Sequence, residues 1–382
     1  MSTTYNILVL PGDHAGPEVV REALKVLDVI QACGDASAPK FNITSDICGG
    51  CSIDAHGAPI TDAVLAKASA SDAVLFGSVG GPEWGTTYPN PESGLLKLRT
   101  HLNAFANLRP CKMYSKTLVD MSPLKAGVVR DVDFMLVREN CGGAYFGPKV
   151  EDYANGVASD TWGYTRPEIE RVARVAGALA RQSAVVGEAA KPAQVTSADK
   201  ANVLASGRLW RTVVTDVFKS EFADLDLKHQ LADSLSMLLC TDPCRFNGVI
   251  VADNTFGDML SDQAGGLVVT LGVLPSASLC GVPEAGQRVK GLYEPVHGSA
   301  PDIAGQGKVN PVAQILSLSM MLRYSFCMYK EADAVDAAVE KVLDAKDAGG
   351  LEVRTGDLGG TASTSEVGDA VCAVVKQFLG GQ

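Results

Sequence analysis

No run of 18 apolar residues goes uninterrupted by charge or turn residues in this 382-residue chain, so no segment is a candidate transmembrane helix. Positive charge is scarce as well. Lys and Arg number 33 against 44 Asp and Glu, a formal net charge of −11, which argues against a nucleic-acid binder or a polybasic membrane-surface protein. Ten cysteines, several among apolar neighbours, fall far below the density of a disulfide scaffold and suit a reducing cytosol. Cys48 with Cys51 and Cys240 with Cys244 lack the usual spacing between two halves of a zinc site. No basic residue precedes Arg21, and the first apolar stretch, Ile7 to Leu10, is short, so the opening is expected to be a strand and not a signal peptide. A cytoplasmic protein with no nucleic-acid or membrane partner is the expectation. No repeat of 20 to 50 residues is visible.

What is present is ordinary globular composition, 46% apolar and 20% charged, enough for two domains or for one large sheet with an insertion. The first strand ends at Pro11-Gly-Asp-His-Ala-Gly16. From Pro17 onward Val20, Ala23, Leu24, Leu27 and Ile30 share one helical face. Strands are expected at Phe41–Thr44, Ala73–Phe76, Ala126–Val129, Phe134–Val137 and Gly248–Ala252, and helices near Asp62–Ala70, Thr165–Gln182 and Asn310–Met328. Alternation of strand and helix predicts an α/β fold on a parallel sheet. The stretch Val185–Pro192 is too short to separate domains, so the domains are expected to share strands.

A dinucleotide fold would carry G-x-G-x-x-G after a strand. None occurs; the first loop, Gly12-x-x-x-Gly16, lacks the middle glycine. The richest alternative is Glu294–Gly305 followed by Asn310-Pro311. There Gly298 and Gly305 allow close backbone approach, His297 can stack or hydrogen-bond, and Asp302 can accept a ribose hydroxyl. The same segment also fits a surface turn. Arg99, Arg109 and Arg138 lie at or near expected element ends, and guanidinium forks suit a carboxylate substrate, although each alone also fits a surface ion pair. Asp258 and Asp262 fall at i and i+4 on an expected helix, where mutual repulsion would be reversed by a divalent cation, with Asp233 as a candidate third ligand. Compensation of the helix dipole explains the same pair. Tyr145 and Lys200 are plausible proton carriers that need neighbouring charge or a metal to work near neutrality.

Taken together and in order, these motifs are similar to those of the isocitrate/isopropylmalate dehydrogenase family, most closely its fungal isopropylmalate members. The likeness covers nearly the whole chain. It rests on Leu10-Pro-Gly-Asp-His14, Val79-Gly-Gly-Pro82, Gly94-Leu-Leu96 with Arg99, Ala106-Asn-Leu-Arg-Pro110, Gly142-Gly-Ala-Tyr-Phe-Gly147, Asp199-Lys-Ala-Asn-Val-Leu204, Asn254–Asp262, Leu274-Pro-Ser-Ala-Ser278, His297–Asp302 and Arg354-Thr-Gly-Asp-Leu-Gly-Gly360.

The resemblance implies a non-Rossmann α/β fold whose two domains share a central sheet. Residues 1–104 with 269–382 would bind NAD, and 105–268 would hold substrate and metal and form a homodimer. Arg99, Arg109 and Arg138 would clamp the malate carboxylates, with Asn202 also at the substrate. Asp258 and Asp262, with Asp233 of a second subunit, would hold Mg²⁺ or Mn²⁺. Lys200, also from the second subunit, would be the base for the 2-hydroxyl, and Tyr145 the acid that protonates the enol. NAD would lie along His297, Gly298, Ser299, Ala300, Pro301, Asp302 and Asn310, its nicotinamide near Val79, Gly80, Gly81 and Pro82. Leu95 and Leu96, beside Glu92, would pack on the 3-substituent. The implied reaction is NAD-dependent oxidative decarboxylation of 3-isopropylmalate to 2-oxo-4-methylpentanoate, in leucine biosynthesis.

Three departures from the family pattern stand out. Gln263 replaces a Glu, Gly265–Thr270 replaces a segment that commonly reads Pro-Gly-Ser before Leu-Gly, and Ala144 replaces Ile before the tyrosine. They keep open a paralogue acting on another 3-substituted malate, such as 3-benzylmalate. A non-catalytic regulatory subunit is the reading from another class, and the joint presence of Tyr145, Lys200 and all three aspartates argues against it.

Overall fold

The computed structural model describes residues 3–35, 37–85, 89–186 and 193–380; all but the first two residues of the Val185–Pro192 linker lie outside these. The chain begins β1 (Thr4–Gly12), α1 (Gly16–Cys33), β2 (Lys40–Ser45), α2 (Gly50–His56), α3 (Asp62–Ala70), β3 (Ala73–Ser78) and α4 (Pro91–Leu102). Alternation in β1 explains its place between two helical layers. Ile7 and Val9 face α1, whereas Leu8 and Leu10 pack with Val64, Leu65 and Leu98 of α3 and α4.

The middle of the chain supplies β4 (Ala106–Lys112), α5 (Ala126–Val129), β5 (Asp133–Glu139), the ribbon β6 (Lys149–Asp152) and β7 (Val157–Asp160), α6 (Arg166–Val186), β8 (Gln194–Asp199), α7 (Ala205–Glu221), β9 (Asp226–Leu231), α8 (Ala232–Thr241), β10 (Gly248–Ala252) and α9 (Asn254–Leu267). The remainder returns with β11 (Pro275–Leu279), β12 (Gly291–Pro295), α10 (Val312–Tyr324), α11 (Tyr329–Leu343) and α12 (Thr364–Gly380). Ten strands form one sheet in the order β2-β1-β3-β12-β11-β4-β5-β10-β8-β9. Strands from the two ends of the chain occupy one half and strands from its middle the other, meeting where β11 pairs with β4.

The parallel-sheet expectation needs correction. β11 runs antiparallel to both β12 and β4, and β4 antiparallel to β5. The connection 280–290 carries no helix and 113–132 only short turns, so neither can make the long helical crossover that a parallel neighbour requires. Ala126–Val129, expected as a strand, is one helical turn that buries only Val129, a run too short for periodicity to distinguish strand from helix.

Along β4 and β5 the side chains alternate between faces. Arg109 and Arg138 point toward α9 on what is here the front face, and Pro110, Lys112, Asp133 and Met135 point to the rear.

Candidate active site at the seam of the sheet

Asp253 starts α9 as its N-cap, accepting from Phe256 N at 2.9 Å. The next residue, Asn254, accepts from Arg138 Nη2 (2.7 Å) and Nε (3.0 Å), which fixes the guanidinium beneath Asp258. Asp258 Oδ1 pairs with Arg138 and lies 3.4 Å from Arg109 Nη2, and its Oδ2 accepts from the Tyr145 hydroxyl at 3.0 Å. One turn on, Asp262 Oδ1 accepts from Arg109 Nη1 at 2.9 Å, alongside Ser261 Oγ at 2.7 Å. Asn107 orients Arg109 from within β4 through a 2.8 Å bond to its Nε. Arg99 is held from the other half of the sheet by Glu294 Oε1 at 2.6 Å.

Positive charge is crowded here. Burial, compounded by the neighbouring Arg109, pulls Arg138 down to about 9, and burial also lowers Arg109. Asp258, Asp262 and Glu294 offset this charge, with Asp258 shared between Arg109 and Arg138. A dicarboxylate entering here would relieve two desolvated guanidiniums at once. Burial and then Asp258 hold the Tyr145 hydroxyl above its ordinary range, so it is a neutral phenol with a proton to donate.

Lys200 and Asp233 form a separate pair. Lys200 follows β8, its carbonyl accepting from Val203 and Leu204 N, and its Nζ meets Asp233 Oδ1 at 2.7 Å where α8 begins. That contact holds the Asp233 carboxyl below its usual range. Asn202 is exposed in the same turn. Among the described residues no cluster of three carboxylate, thiol or imidazole groups is placed to hold a metal. Asp258 and Asp262 provide two hard oxygen donors on one helix face, a set that suits Mg²⁺ or Mn²⁺ once a third carboxylate is added.

The two proposed cofactor loops meet. Ser299 Oγ donates to Gly80 O at 2.7 Å, and Ser299 O accepts from Ala15 N at 2.9 Å. His297 has a buried Nε2 without a partner, and nothing crowds Gly298, so an imidazole edge and an open backbone are available to a dinucleotide. Asn310 caps α10 through Val312 N (3.0 Å) and donates to Asp357 at 3.1 Å. Asp302 and Pro301 are exposed, Ala300 partly so; Val79 and Gly81 flank Gly80, and exposed Pro82 closes that loop.

Sequence reasoning missed Asp13. This buried carboxylate accepts from Gly50 N (2.8 Å), Cys51 N (2.9 Å) and Gly80 N (3.0 Å), tying three loops together at the end of β1. The available signal was an acidic residue between Gly12 and Gly16. It also explains Cys48-Gly-Gly-Cys51, whose thiols burial pushes up to about 12 and about 11, opposite to redox or zinc chemistry.

The model for the isocitrate/isopropylmalate dehydrogenase family matches residues 6–371. The chain belongs to that family. It is 62% identical over all 382 residues to the full length of a 3-isopropylmalate dehydrogenase of Hapsidospora chrysogena. To the Neurospora crassa 3-isopropylmalate dehydrogenase it is 53% identical, covering 98% of this chain and 99% of that one. Among solved structures, an isocitrate dehydrogenase from Methylococcus capsulatus aligns with a TM-score of 0.78 at 28% identity over 98% of this chain and all of the other. A β-decarboxylating dehydrogenase from Thermococcus kodakarensis aligns with a TM-score of 0.75 at 31% identity, over 98% and 96%.

Against the family pattern the departures acquire structural meaning. Gln263 clips α9 to α8: its Oε1 accepts from Ser236 Oγ (2.6 Å) and its Nε2 donates to Ser236 O (2.7 Å). A glutamate could accept that first bond but could not donate the second. Val269 stands where the family commonly has glycine and adopts φ 87°, a left-handed backbone that a β-branched residue takes only under strain. Val269→Gly is therefore expected to stabilise the protein by about 1 kcal/mol, read as a higher denaturant midpoint; a lower midpoint would mean that Val269 packing outweighs the strain. On α4, Leu95 and Leu96 are half-buried and Glu92 exposed, while the Ser93 hydroxyl is engaged by Asn90 O at 2.6 Å. The polar group on this helix face is thus directed to the helix start.

Behind the site Glu139 is fully buried, accepting from Cys141 N, Gly142 N and Arg171. Burial pushes it up to about 7. An acid whose folded pKa exceeds its unfolded value adds stability below about 4.5 that is lost as pH rises to about 7, because over that window the native state holds the proton the unfolded chain has released. Burial pushes Asp253 up to about 6, with the same sign. Glu139→Gln is expected to flatten the fall in unfolding free energy between pH 5 and 7.5, measured by urea titration; an unchanged slope would assign the pH dependence to other groups.

Proposed function

We propose that this protein oxidises and decarboxylates 3-isopropylmalate with NAD⁺ and a divalent cation, releasing 2-oxo-4-methylpentanoate, in the leucine pathway. The observation that carries the reading is the convergence of Arg109, Arg138, Asp258, Asp262 and Tyr145 on the front of the seam, where anionic substrate, cation and a phenolic proton can meet. Identity of 62% over the full length to a named 3-isopropylmalate dehydrogenase supports the choice of substrate.

Arg109 and Arg138 bind the malate carboxylates, with Arg99 close by on α4. Leu95 and Leu96 receive the isopropyl group, and a third carboxylate there, as in isocitrate, would be buried against two leucines at a cost of several kcal/mol. Lys200 takes the proton of the 2-hydroxyl, and Tyr145 delivers one to C3 after CO₂ leaves. Bound along His297–Asp302, NAD⁺ would supply the hydride acceptor, and a cation held by Asp258 and Asp262 would supply Lewis-acid stabilisation of the substrate's oxygens.

Asp233 pairs with Lys200 and forms no cluster with Asp258 and Asp262 among the described residues, which supports a site completed by Lys200 and Asp233 of a second copy of the chain. Exposed Met237 on α8 and Met259 on α9, and Val150, Tyr153 and Val157 around the β6–β7 ribbon, offer that copy an apolar surface. Ten cysteines scattered among apolar neighbours suit a reducing compartment, and on that composition we place the protein in the cytoplasm.

The test is NADH formation with Mn²⁺ and 3-isopropylmalate beside 3-benzylmalate, isocitrate, tartrate and malate, each with NAD⁺ or NADP⁺. Preference for isopropylmalate with NAD⁺ is expected, and preference for another malate would overturn the substrate assignment. The exposed Asp302 carboxylate favours a ribose hydroxyl over a 2′-phosphate. Asp302→Ala is expected to narrow the NAD⁺ preference about tenfold in kcat/KM, and an unchanged ratio would place cofactor selection elsewhere.

A further inference from the structure

Tyr145 is 37% exposed, so packing alone does not place its ring. Its position is inherited from the short turn Gly143–Tyr145 that carries it and from the 3.0 Å bond its hydroxyl donates to Asp258 on α9. The reach of that hydroxyl therefore depends on how the turn is set against α9. One side chain touches both. It is Tyr164, in the segment between β7 and α6.

The Tyr164 ring stands edge-on to buried Trp210 of α7, their centres 5.6 Å apart, and Trp210 Nε1 donates to Ser197 Oγ of β8 at 3.2 Å. A Cβ on Gly143 would overlap the Tyr164 hydroxyl, and one on Gly142 would stand 2.8 Å from Cε1, so the turn rests directly on the ring. The same hydroxyl accepts from Asn254 N at 2.9 Å, a donor in the first turn of α9 that no helical carbonyl can meet. Asn254 is fully buried, and its Nδ2 donates to Gly142 O at 2.9 Å. Turn and helix are thus joined twice, and the bond from Tyr145 to Asp258 closes the circuit. The start of α9 also has an anchor of its own, because Asp253 accepts from Phe256 N and from Trp162 Nε1, each at 2.9 Å. We propose, on the reading of Tyr145 as the proton donor, that Tyr164 is a positioning residue whose ring and hydroxyl set the Gly143–Tyr145 turn against α9, so that the Tyr145 hydroxyl can reach C3 of the substrate. Asp258 and Asp262 share one helix and move together. A loosened turn changes the approach of Tyr145 and leaves those two carboxylates in their mutual geometry.

The test is Tyr164→Phe, which keeps the ring and removes the hydroxyl, made alone and together with Tyr145→Phe. Alone it is expected to lower kcat about tenfold, the scale of a slight misplacement of a reacting group, with KM for isopropylmalate and Mn²⁺ affinity within about twofold of wild type. Added to Tyr145→Phe it is expected to cost nothing further, whereas a variant that merely reduced the folded fraction would multiply the two losses. Hydrogen exchange supplies a readout independent of turnover: residues 141–147 and the first turn of α9 are expected to exchange faster together, by at least about fivefold. Undiminished kcat, multiplied losses, or faster exchange in one segment alone would each overturn the proposal. Full turnover by Tyr145→Phe would overturn the proton-donor reading and the proposal with it, while loss there beside no loss in Tyr164→Phe overturns the proposal only. If Tyr164→Phe fails to fold, the two segments of the wild type are expected to open with equal free energies, and unequal ones overturn the coupling.

Discussion

Asp258→Asn is expected to lower kcat about a thousandfold and to weaken Mn²⁺ binding, the latter read by electron paramagnetic resonance. Three consequences combine in that one substitution. A hard carboxylate donor is lost, the Tyr145 hydroxyl faces an amide instead of a carboxylate, and Arg109 and Arg138 lose the anion they share. The last effect sets this variant apart from a simple loss of ligand. Arg138, left without a carboxylate partner while Arg109 keeps Asp262, should lower the melting temperature, and a bound dicarboxylate should restore part of it. Near-normal turnover with unchanged Mn²⁺ affinity would place the cation elsewhere.

Tyr145→Phe and Lys200→Met should each reduce kcat by about 10² to 10⁴, the usual worth of a positioned proton carrier. The more searching result comes from mixing them. If Tyr145 works with Lys200 of the other subunit, a mixed dimer has one doubly defective site and one intact site. Random association of the two inactive variants should then restore up to about a quarter of wild-type activity. No recovery from demonstrably mixed dimers would mean that both residues act within a single chain.

Strong local signals were legible in the sequence. The Pro17 start of α1 and its apolar stripe, the strand Gly248–Ala252 with the Asp-capped helix after it, and the i, i+4 spacing of Asp258 and Asp262 all follow from short-range chemistry. Strand direction was not legible, because it depends on which distant segments become neighbours. Pro275–Leu279 gives no local sign that it will lie antiparallel between β12 and β4. As a set the three arginines suit a carboxylate substrate, while each alone fits a surface ion pair, and only the order of motifs decides between the two. Even then their partners Asn254, Asn107 and Glu294 stayed hidden, since a hydrogen-bond acceptor reached across the fold leaves no pattern in its own neighbourhood. Asp13 lies within the Leu10–His14 motif, yet nothing local marks it as the tie among three loops, because its partners are backbone N–H groups, which every residue but proline carries.

The seam also bears on synthesis. β3 pairs with β1 on one side, but its neighbour on the other is β12, so the pairing of Val74 with Leu292 must wait for most of the chain to leave the ribosome. β4, β5, β8, β9 and β10 are complete once Ala252 has emerged and pair among themselves. During translation the middle segment can therefore assemble first, while β1, β2 and β3 remain a three-stranded fragment with an open edge at β3. That edge, like the one β4 keeps open for β11, is prone to aggregation in the nascent protein, and its protection depends on how quickly the last hundred or so residues follow.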